Sequence, residues 1–378
     1  MIRTVLLDGP GVGKLPAALE AALDGGPAVL PLAAGAGVDV GAEPDPGTAV
    51  VIMTSGSTGT PKLVMLPAAA LRASAAATTA RLGGPGHWLL ALPAEHVAGV
   101  QVLVRSLLAG TEPVVQDLRG GFRPAGFVAA TAALATGRRY TSLVPTQLHR
   151  LLDAGGDALE ALLGYAAVLV GGAALDPALR ERAVAAGVRV VTTYGMSETA
   201  GGCVYDGLPL DGVRAELDAD GTIRLGGPTL ASGYLGRPAE TARAFAAGWF
   251  RTGDVGRWQE GRLQVLGRAD DMIISGGEKV APALVERVLL AQPGVRAACV
   301  VGLPDPEWGQ LVAAAVVVAD RLGDAAAERL RAAARAELGG VAGPRIVLVV
   351  PEIPQLGIGK PDRAAVVGMI SGRRRTTG

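Results

Sequence analysis

The sequence predicts an α/β protein in two domains: a large N-terminal region of parallel βαβ units plus antiparallel strands, then a small α+β C-terminal domain. Three observations predict it. From Ala49 to about Gly202, short apolar runs bounded by turn residues alternate with helix-like stretches, the signature of parallel strands covered by helices. From about Leu208 the text changes to short antiparallel strands and tight turns, as in GTIRLGG and WFRTGDVGRWQEGRLQVLGR. After Asp270 a third texture forms a separate small unit. At roughly 150 residues per domain, a chain of 378 fits this division, drawn at 1–269 and 270–378.

Residues 1–47 hold the apolar run TVLL, a helix-like LPAALEAAL, and AVLPLAAGAGVDVGAEPDPG, whose Gly and Pro content reads as a loop or linker. From Ala49 the order becomes strand, glycine loop, helix: AVVIM, then TSGSTGTPKLVML, then the alanine-rich periodic stretch Pro67–Arg81. WLLALP, EPVVQDL, YTSLVP, AAVLVGG and VRVVTTYG follow as strands, separated by the helical VAGVQVLVRSLLAG, FVAATAALATG, TQLHRLLDAG and PALRERAVAAG. The last unit reads as the helix ALVERVLLA, the strands RAACVVGLP and VAAAVVVA, a helix over Asp324–Leu338 and a final strand RIVLVV. The GRRRTTG tail reads as disordered.

Lys+Arg and Asp+Glu both number 35, so the formal net charge is zero. That excludes a general nucleic-acid binder, which needs a basic excess to displace counterions, and a polybasic membrane surface. The opening MIRTVLLDGPG is too short an apolar run for a signal peptide, and LVAAAVVVA from Leu311 is far below the ~18 to 20 residues of a spanning helix. A cytoplasmic protein with no membrane span is expected. Cys203 and Cys299 are the only cysteines, too few for a disulfide framework or a four-thiolate zinc site. His87 and His149 receive no role.

Only four basic residues are lysine: Lys14, Lys62, Lys279 and Lys360. Where arginine is the ordinary surface cation, a lysine marks a position where a compact, flexible ammonium has a use. Lys14 ends DGPGVGK, a Walker-like fragment that fails on spacing. The first Gly of GxxxxGK[ST] would fall on Asp8, and Leu15 replaces the hydroxyl residue. That segment reads as an ordinary turn.

TSGSTGTPK is different. Thr54, Ser55, Gly56, Ser57, Thr58 and Gly59 precede Lys62 on the heels of a strand. Glycines let backbone N–H groups turn towards an anion, hydroxyls add donors, and Lys62 adds a point charge. The loop reads as a phosphate binder of another kind. YGMSETAGG sets Tyr194, Gly195, Met196, Ser197 and Glu198 at the carboxyl end of a parallel strand, where open α/β sheets bind ligands. Glu198 is a candidate magnesium ligand, since that ion takes a carboxylate plus phosphate oxygens; a helix start capped by Ser197 is the other reading. In WFRTGDVG, Asp254 sits in a tight turn, either as a plain Asx turn or as acceptor from a ribose diol.

Together and in this order, these three motifs resemble the adenylate-forming superfamily of acyl-CoA synthetases, peptide-synthetase adenylation domains and luciferases. The resemblance continues through LGRADDMIISGGEKVAP and GIGKPDR, and runs from about residue 48 to 366. It implies the cofactors ATP and Mg²⁺, with CoA as co-substrate. The loop from Thr54 to Lys62 would hold the β- and γ-phosphates. Gly171, Gly172, Ala173 and Tyr194 would flank the adenine, and Ser197 and Glu198 would handle the α-phosphate and Mg²⁺. Asp254 would bind the ribose, with Arg268 nearby. Asp270 falls at the hinge, which makes the C-terminal domain mobile. Lys360 matches the catalytic lysine that bridges the attacking carboxylate and the α-phosphate, then withdraws to admit a thiol. Gly276 and Gly277 would line the pantetheine tunnel, with Lys279 either contacting CoA or capping in solvent.

PAEHVAGVQVLVRSLLAG and YTSLVPTQLHRLL resemble the o-succinylbenzoate–CoA ligase branch of menaquinone biosynthesis, in its short actinobacterial forms. The partners implied are a small carboxylic acid, ATP and CoA, with no nucleic acid. His96 would stand at the mouth of the acyl pocket. Arg105 would meet the second carboxylate of the diacid; a structural ion pair is the plainer reading. About fifty residues precede the phosphate loop, fewer than relatives carry. Relatives use that surface to flank the pocket or build a homodimer. The lysine segment PQLGIGKPDR also departs from the usual Thr/Ser–Gly before the lysine. Three alternatives stay open: a CoA ligase for another aryl or medium-chain acid, a stand-alone domain loading a carrier protein, and a non-catalytic nucleotide binder.

Overall fold

A computed structural model describes residues 1–7, 10–38, 40–54, 61–319, 325–356 and 360–376, with the backbone alone at 10, 11, 356, 360 and 374–376. The chain forms two compact units. One comprises Met1–Asp218, Ile223–Thr252 and Trp258–Leu263; the other comprises Ala219–Thr222, Gly253–Arg257 and Gln264–Gly378.

In the first unit a seven-stranded sheet places Val190–Met196, Ala167–Val170, Arg139–Leu143, His87–Leu90 and Val114–Val115 side by side and parallel. Gly201–Tyr205 and Leu208–Pro209 extend one edge antiparallel. The central strand AVLV at 167–170 is fully buried, as a covered parallel sheet requires, while Val190–Met196, which carries candidate site residues, is largely half-buried. The helices Ala68–Arg81 and Val97–Leu108 pack on this sheet through Leu71, Ala75, Val100 and Leu103, in one core with Trp88 and Tyr140. The helices Pro145–Ala154 and Gly156–Leu163 contribute Leu148, Leu151 and Leu162 to a second core around Phe127. The alternation of apolar runs and helical stretches thus gave a parallel sheet with cover on both faces.

A second sheet runs Ile2–Leu7, Ala28–Ala33, Thr48–Thr54, Lys62–Pro67 and Gly233–Tyr234. It corrects three expectations. The segment AVLPLA, read as the start of a linker, is a strand whose first five residues are buried. The flanking Pro and Gly masked it, but Leu30 and Leu32 form a core with Val51 and Met65. The Walker-like fragment is not a plain turn, because the helix Pro10–Leu23 already begins at its proline, a residue suited to a first helical turn. Asp8 and Gly9 lie outside the described residues. Third, Lys62–Pro67 is a strand antiparallel to Thr48–Thr54, with Thr54 opposite Lys62. The glycine loop therefore falls between two antiparallel strands, whereas a Walker loop leads from a strand into a helix.

In the second unit, Val295–Asp305 and Gly309–Val318 form a long hairpin. Ile273–Ser275 and Glu278–Val280 extend it on one side, and Ile346–Val349 pairs parallel to Gly309–Val318. The helices Pro282–Leu290 and Ala325–Leu338 cover one face through Val285, Leu289, Leu330 and Ala334. The helix Arg363–Thr376 covers the other through Val366 and Ile370. The tail is therefore not disordered from Gly372, since this helix runs to Thr376. Its amphipathic stretch RAAVVGMI buries enough apolar surface to carry the helix into the arginines.

Candidate functional site

The first unit gathers several predicted residues at the carboxyl ends of two neighbouring parallel strands. Gly171, Gly172 and Ala173 follow Ala167–Val170 directly, and Val170 is paired with Thr192 of the next strand. A Cβ at Gly171 would collide with the Thr193 side chain, so only glycine lets the two chains approach here. Gly172 has φ +78°, the left-handed region that glycine enters freely. Tyr194 and Met196 lie one and three residues beyond Thr193 in the strand Val190–Met196. A Cβ at Gly195 would meet the Gly201 backbone across the antiparallel edge.

Ser197–Thr199 is a single 3₁₀ turn whose N-cap is Met196, so Ser197 is not the capping residue. The Thr199 hydroxyl holds the turn instead, accepting from Met196 N at 3.0 Å and donating to Gly201 O at 2.8 Å. The turn ends at Ala200, a non-glycine residue with φ +50°. Its carbonyl accepts from Ser74 Oγ at 3.0 Å and Gln101 Nε2 at 2.9 Å, both buried. Two helices thus hold a strained backbone beside Glu198, the kind of conformation that persists only when its surroundings over-determine it.

Glu198 Oε1 accepts the Tyr234 hydroxyl at 3.0 Å, and Ala231 N donates to the Glu198 carbonyl at 2.9 Å. Lys62 Nζ lies 4.6 Å above the centre of the same tyrosine ring and 2.9 Å from Glu240 Oε2. Arg237 bonds Glu240 Oε1 at 3.0 Å and the carbonyl of Pro61 at 2.8 Å. The Lys62 ammonium, with Arg237 beside it, holds the Glu240 carboxyl below the usual carboxylate range. Lys62, Tyr234, Glu240 and Arg251 line a hollow of about 220 Å³. Thr54 Oγ1 donates to the Lys62 carbonyl at 3.4 Å. Ser55, Gly56, Ser57, Thr58 and Gly59 lie outside the described residues. Sequence reading missed Tyr234, Arg237 and Glu240. A tyrosine and an acidic residue six apart in GYLGRPAET carry no signal until pairing of Gly233–Tyr234 with Val64 and Met65 brings them to the loop's exit.

Among the described residues no cluster of three His, Cys, Asp or Glu can hold a metal ion. Magnesium also takes a single carboxylate together with phosphate oxygens, and Glu198 is the carboxylate at this turn. His96 is the exposed N-cap residue of the helix Val97–Leu108. Arg105, nine residues along the same helix, sits about 13 Å further at 1.5 Å per residue. It is 4% exposed, lies 5.0 Å from the Trp88 ring and donates to Tyr205 Oη at 3.4 Å. Its Nε has no hydrogen-bond partner, and no carboxylate pairs with it among the described residues. Burial pulls its pKa down, with Tyr205 opposing.

In the second unit, Asp254 corrects a further expectation: it lies within the strand Trp249–Gln259, not in a tight turn. Arg268 Nη1 is 3.5 Å from Asp254 Oδ1, and a Cβ at Gly253 would collide with the Arg268 guanidinium. Gly253 thus makes room for the arginine inside a strand, where sequence alone reads glycine as a turn. Asp270 is exposed in the 3₁₀ turn Ala269–Asp271. Gly276 and Gly277 line an open hollow of about 710 Å³ with Met272, Trp308 and Gln310. The Arg345 guanidinium lies 3.9 Å over the Trp308 ring. Lys279 is exposed, opposite Ile274. Lys360 is in a two-residue strand pair, Gln355–Leu356 with Lys360–Pro361, where Leu356 stands opposite it.

The chain is similar to known proteins along most of its length. Residues 33–235 match the AMP-binding enzyme family, and residues 284–360 match the AMP-binding enzyme C-terminal domain. A probable 2-succinylbenzoate–CoA ligase of Mycobacterium tuberculosis is 48% identical over 336 residues, covering 88% of this chain and 87% of that protein. The O-succinylbenzoate coenzyme A synthetase (MenE) of Bacillus subtilis, solved with AMP, aligns with a TM-score of 0.72 at 28% identity, covering 84% of this chain and 68% of that one. The amide bond synthetase McbA of Marinactinospora thermotolerans aligns with a TM-score of 0.75 at 32% identity, covering 94% and 78%. Among the described residues no helix is long and apolar enough to cross a membrane. With both of its parts matched and a relative of this identity covered nearly end to end, the chain belongs to the AMP-binding enzyme family.

Proposed function

We propose that this protein is an ATP-dependent 2-succinylbenzoate–CoA ligase, which adenylates the aliphatic or aromatic carboxylate of its acid and then passes the acyl group to CoA. The observation that carries the reading is the 48% identity across 336 residues to a probable ligase of that kind, spanning both matched regions.

In the first half-reaction a carboxylate oxygen attacks the α-phosphorus of ATP and pyrophosphate leaves. A magnesium ion bound with the triphosphate would supply charge neutralisation and electron withdrawal at the reacting phosphate. Glu198 is assigned to hold that ion, with Ser197 at the α-phosphate. Thr54 to Gly59 and Lys62 are assigned to the β- and γ-phosphates, the glycine and tyrosine stretches 171–173 and 194–196 to the adenine, and Asp254 with Arg268 to the ribose. Lys360 supplies a fixed ammonium where two anions must meet. A charge placed before the reaction stabilises the transition state without reorganisation, the largest single effect open to such a site. No base is needed, because the acid arrives ionised.

In the second half-reaction the thiolate sulfur of CoA attacks the acyl carbon of the mixed anhydride and AMP leaves. Gly276, Gly277 and Lys279 are assigned to CoA, and Asp270 to the hinge of a division at 1–269 and 270–378. His96 and Arg105 are assigned to the acid. A cytoplasmic location and a homodimer belong to the same reading; the latter is checked by the mass of the protein in solution. The amide bond synthetase among the neighbours is a second reading of this step, with an amine in place of the thiol. Incubating the enzyme with ATP, 2-succinylbenzoate and either CoA or an amine, and identifying the acyl product by mass, separates the two.

A further inference from the structure

We propose that Tyr234 is a positioning residue that joins the magnesium carboxylate, Glu198, to the lysine at the phosphate loop's exit, Lys62. The inference rests on the assignment of Glu198 above and adds what holds it. Three observations carry it.

First, Tyr234 is 6% exposed, yet its hydroxyl is spent on a carboxylate: Oη is 3.0 Å from Glu198 Oε1. No other side chain bonds that carboxylate among the described residues, so this one donor fixes its rotation and leaves Oε2 for a cation. Second, the opposite use of the same side chain is its π-face, which carries the Lys62 ammonium at 4.6 Å from the ring centre. One rigid ring therefore sets the spacing between an anion that would meet magnesium and a cation that would meet phosphate. Third, the ring itself is held from its own segment. Tyr234 N donates to Thr241 Oγ1 at 2.9 Å, and Tyr234 pairs with Val64 two residues past Lys62. The same stretch sends Arg237 back to the carbonyl of Pro61 and Glu240 to Lys62. Residues 231–241 thus bracket both partners.

A group behind a metal ligand orients it and tunes its basicity, and its removal typically lowers metal affinity about 10-fold or more. Tyr234→Phe keeps the ring under Lys62 and deletes only the donor. Two measurements test it: the magnesium concentration needed for half-maximal acid-dependent ATP–pyrophosphate exchange, and the magnesium concentration needed for half the thermal shift given by a non-hydrolysable ATP analogue. The second is taken relative to each variant's own ligand-free midpoint, so a modest loss of stability does not blur it. Both constants should rise about 10-fold in Tyr234→Phe, while thioester formation from supplied acyl-adenylate and CoA, which passes no triphosphate, stays within about twofold of the parent. Tyr234→Leu, which removes the ring as well, should in addition raise the KM for ATP. Unchanged magnesium constants in Tyr234→Phe overturn the proposal. If Glu198→Gln still shifts them, only the role of Tyr234 falls; if it does not, the assignment of Glu198 falls with it.

Discussion

The Arg363 guanidinium lies 2.9 Å from Glu286 Oε1, an oxygen that also accepts the backbone N–H of Val300 at 2.9 Å. Arg363 donates in turn to the Val300 carbonyl and lies 3.8 Å from Asp271 Oδ2. A residue three past Lys360 is therefore tied to the helix Pro282–Leu290, to the long hairpin and to the neighbour of Asp270. The strand pair that carries Lys360 is only two residues long on each side, too short to hold itself. This arginine, with the bond from Asp362 N to the Pro354 carbonyl at 2.8 Å, ties the chain just beyond it to the rest of the unit.

Arg363→Ala should accordingly lower acid-dependent ATP–pyrophosphate exchange about 10-fold and cost about 1.5 to 3 kcal/mol, the worth of a hydrogen bond to a charged group. Lys360→Ala should abolish the exchange with little loss of stability. Exchange kinetics and urea unfolding of both variants check this. Full exchange in Arg363→Ala would show that the lysine is placed without it.

Gly276 has φ +57°, and a Cβ there would sit 2.8 Å from the Trp308 ring. Gly276→Ala should force the ring or the turn aside and narrow the hollow they line. The expected result is a severalfold rise in the KM for CoA with exchange unaltered. An unaltered KM for CoA would remove this hollow from the thiol's path.

Arg105 is a buried cation with no acidic partner among the described residues. Arg105→Met keeps much of its volume against Trp88 while removing the charge. Since an apolar isostere often matches or betters a buried charge, stability should hold within about 1 kcal/mol or rise. The KM for 2-succinylbenzoate should rise while that for benzoate-like monoacids stays put. If both are unchanged, the guanidinium serves the core alone.

Much of this was legible in the sequence because the signals are local. Alternating apolar and helical runs specified the parallel sheet, and the runs at 54–62 and 194–198 stood out by composition as candidates. What was not legible depends on pairing at long range. AVLPLA reads as a linker until Leu30 and Leu32 meet Val51 and Met65. Asp254 reads as a turn residue because Gly253 precedes it, and only the arginine packed on that glycine explains a strand there. Tyr234 and Glu240 stand far from Lys62 and Glu198 in sequence, and no periodicity connects them.

Burial pushes the Cys203 thiol up to about 12 and the Cys299 thiol up to about 11. Only the thiolate reacts, so at pH 7 fewer than about one molecule in a thousand presents a nucleophilic sulfur at either position. The folded enzyme should therefore leave a thiol reagent at pH 7 unreacted, and both cysteines should titrate once it is unfolded in urea. A fast reaction of the native protein would contradict the burial of these side chains.

The most direct test of the account is a single incubation of the purified protein with ATP, Mg²⁺, CoA and a panel of acids, followed by mass analysis of the products. The account predicts 2-succinylbenzoyl-CoA together with AMP and pyrophosphate, and far less thioester from monoacids. Release of ADP and phosphate, or thioester from other acids with none from 2-succinylbenzoate, would contradict it.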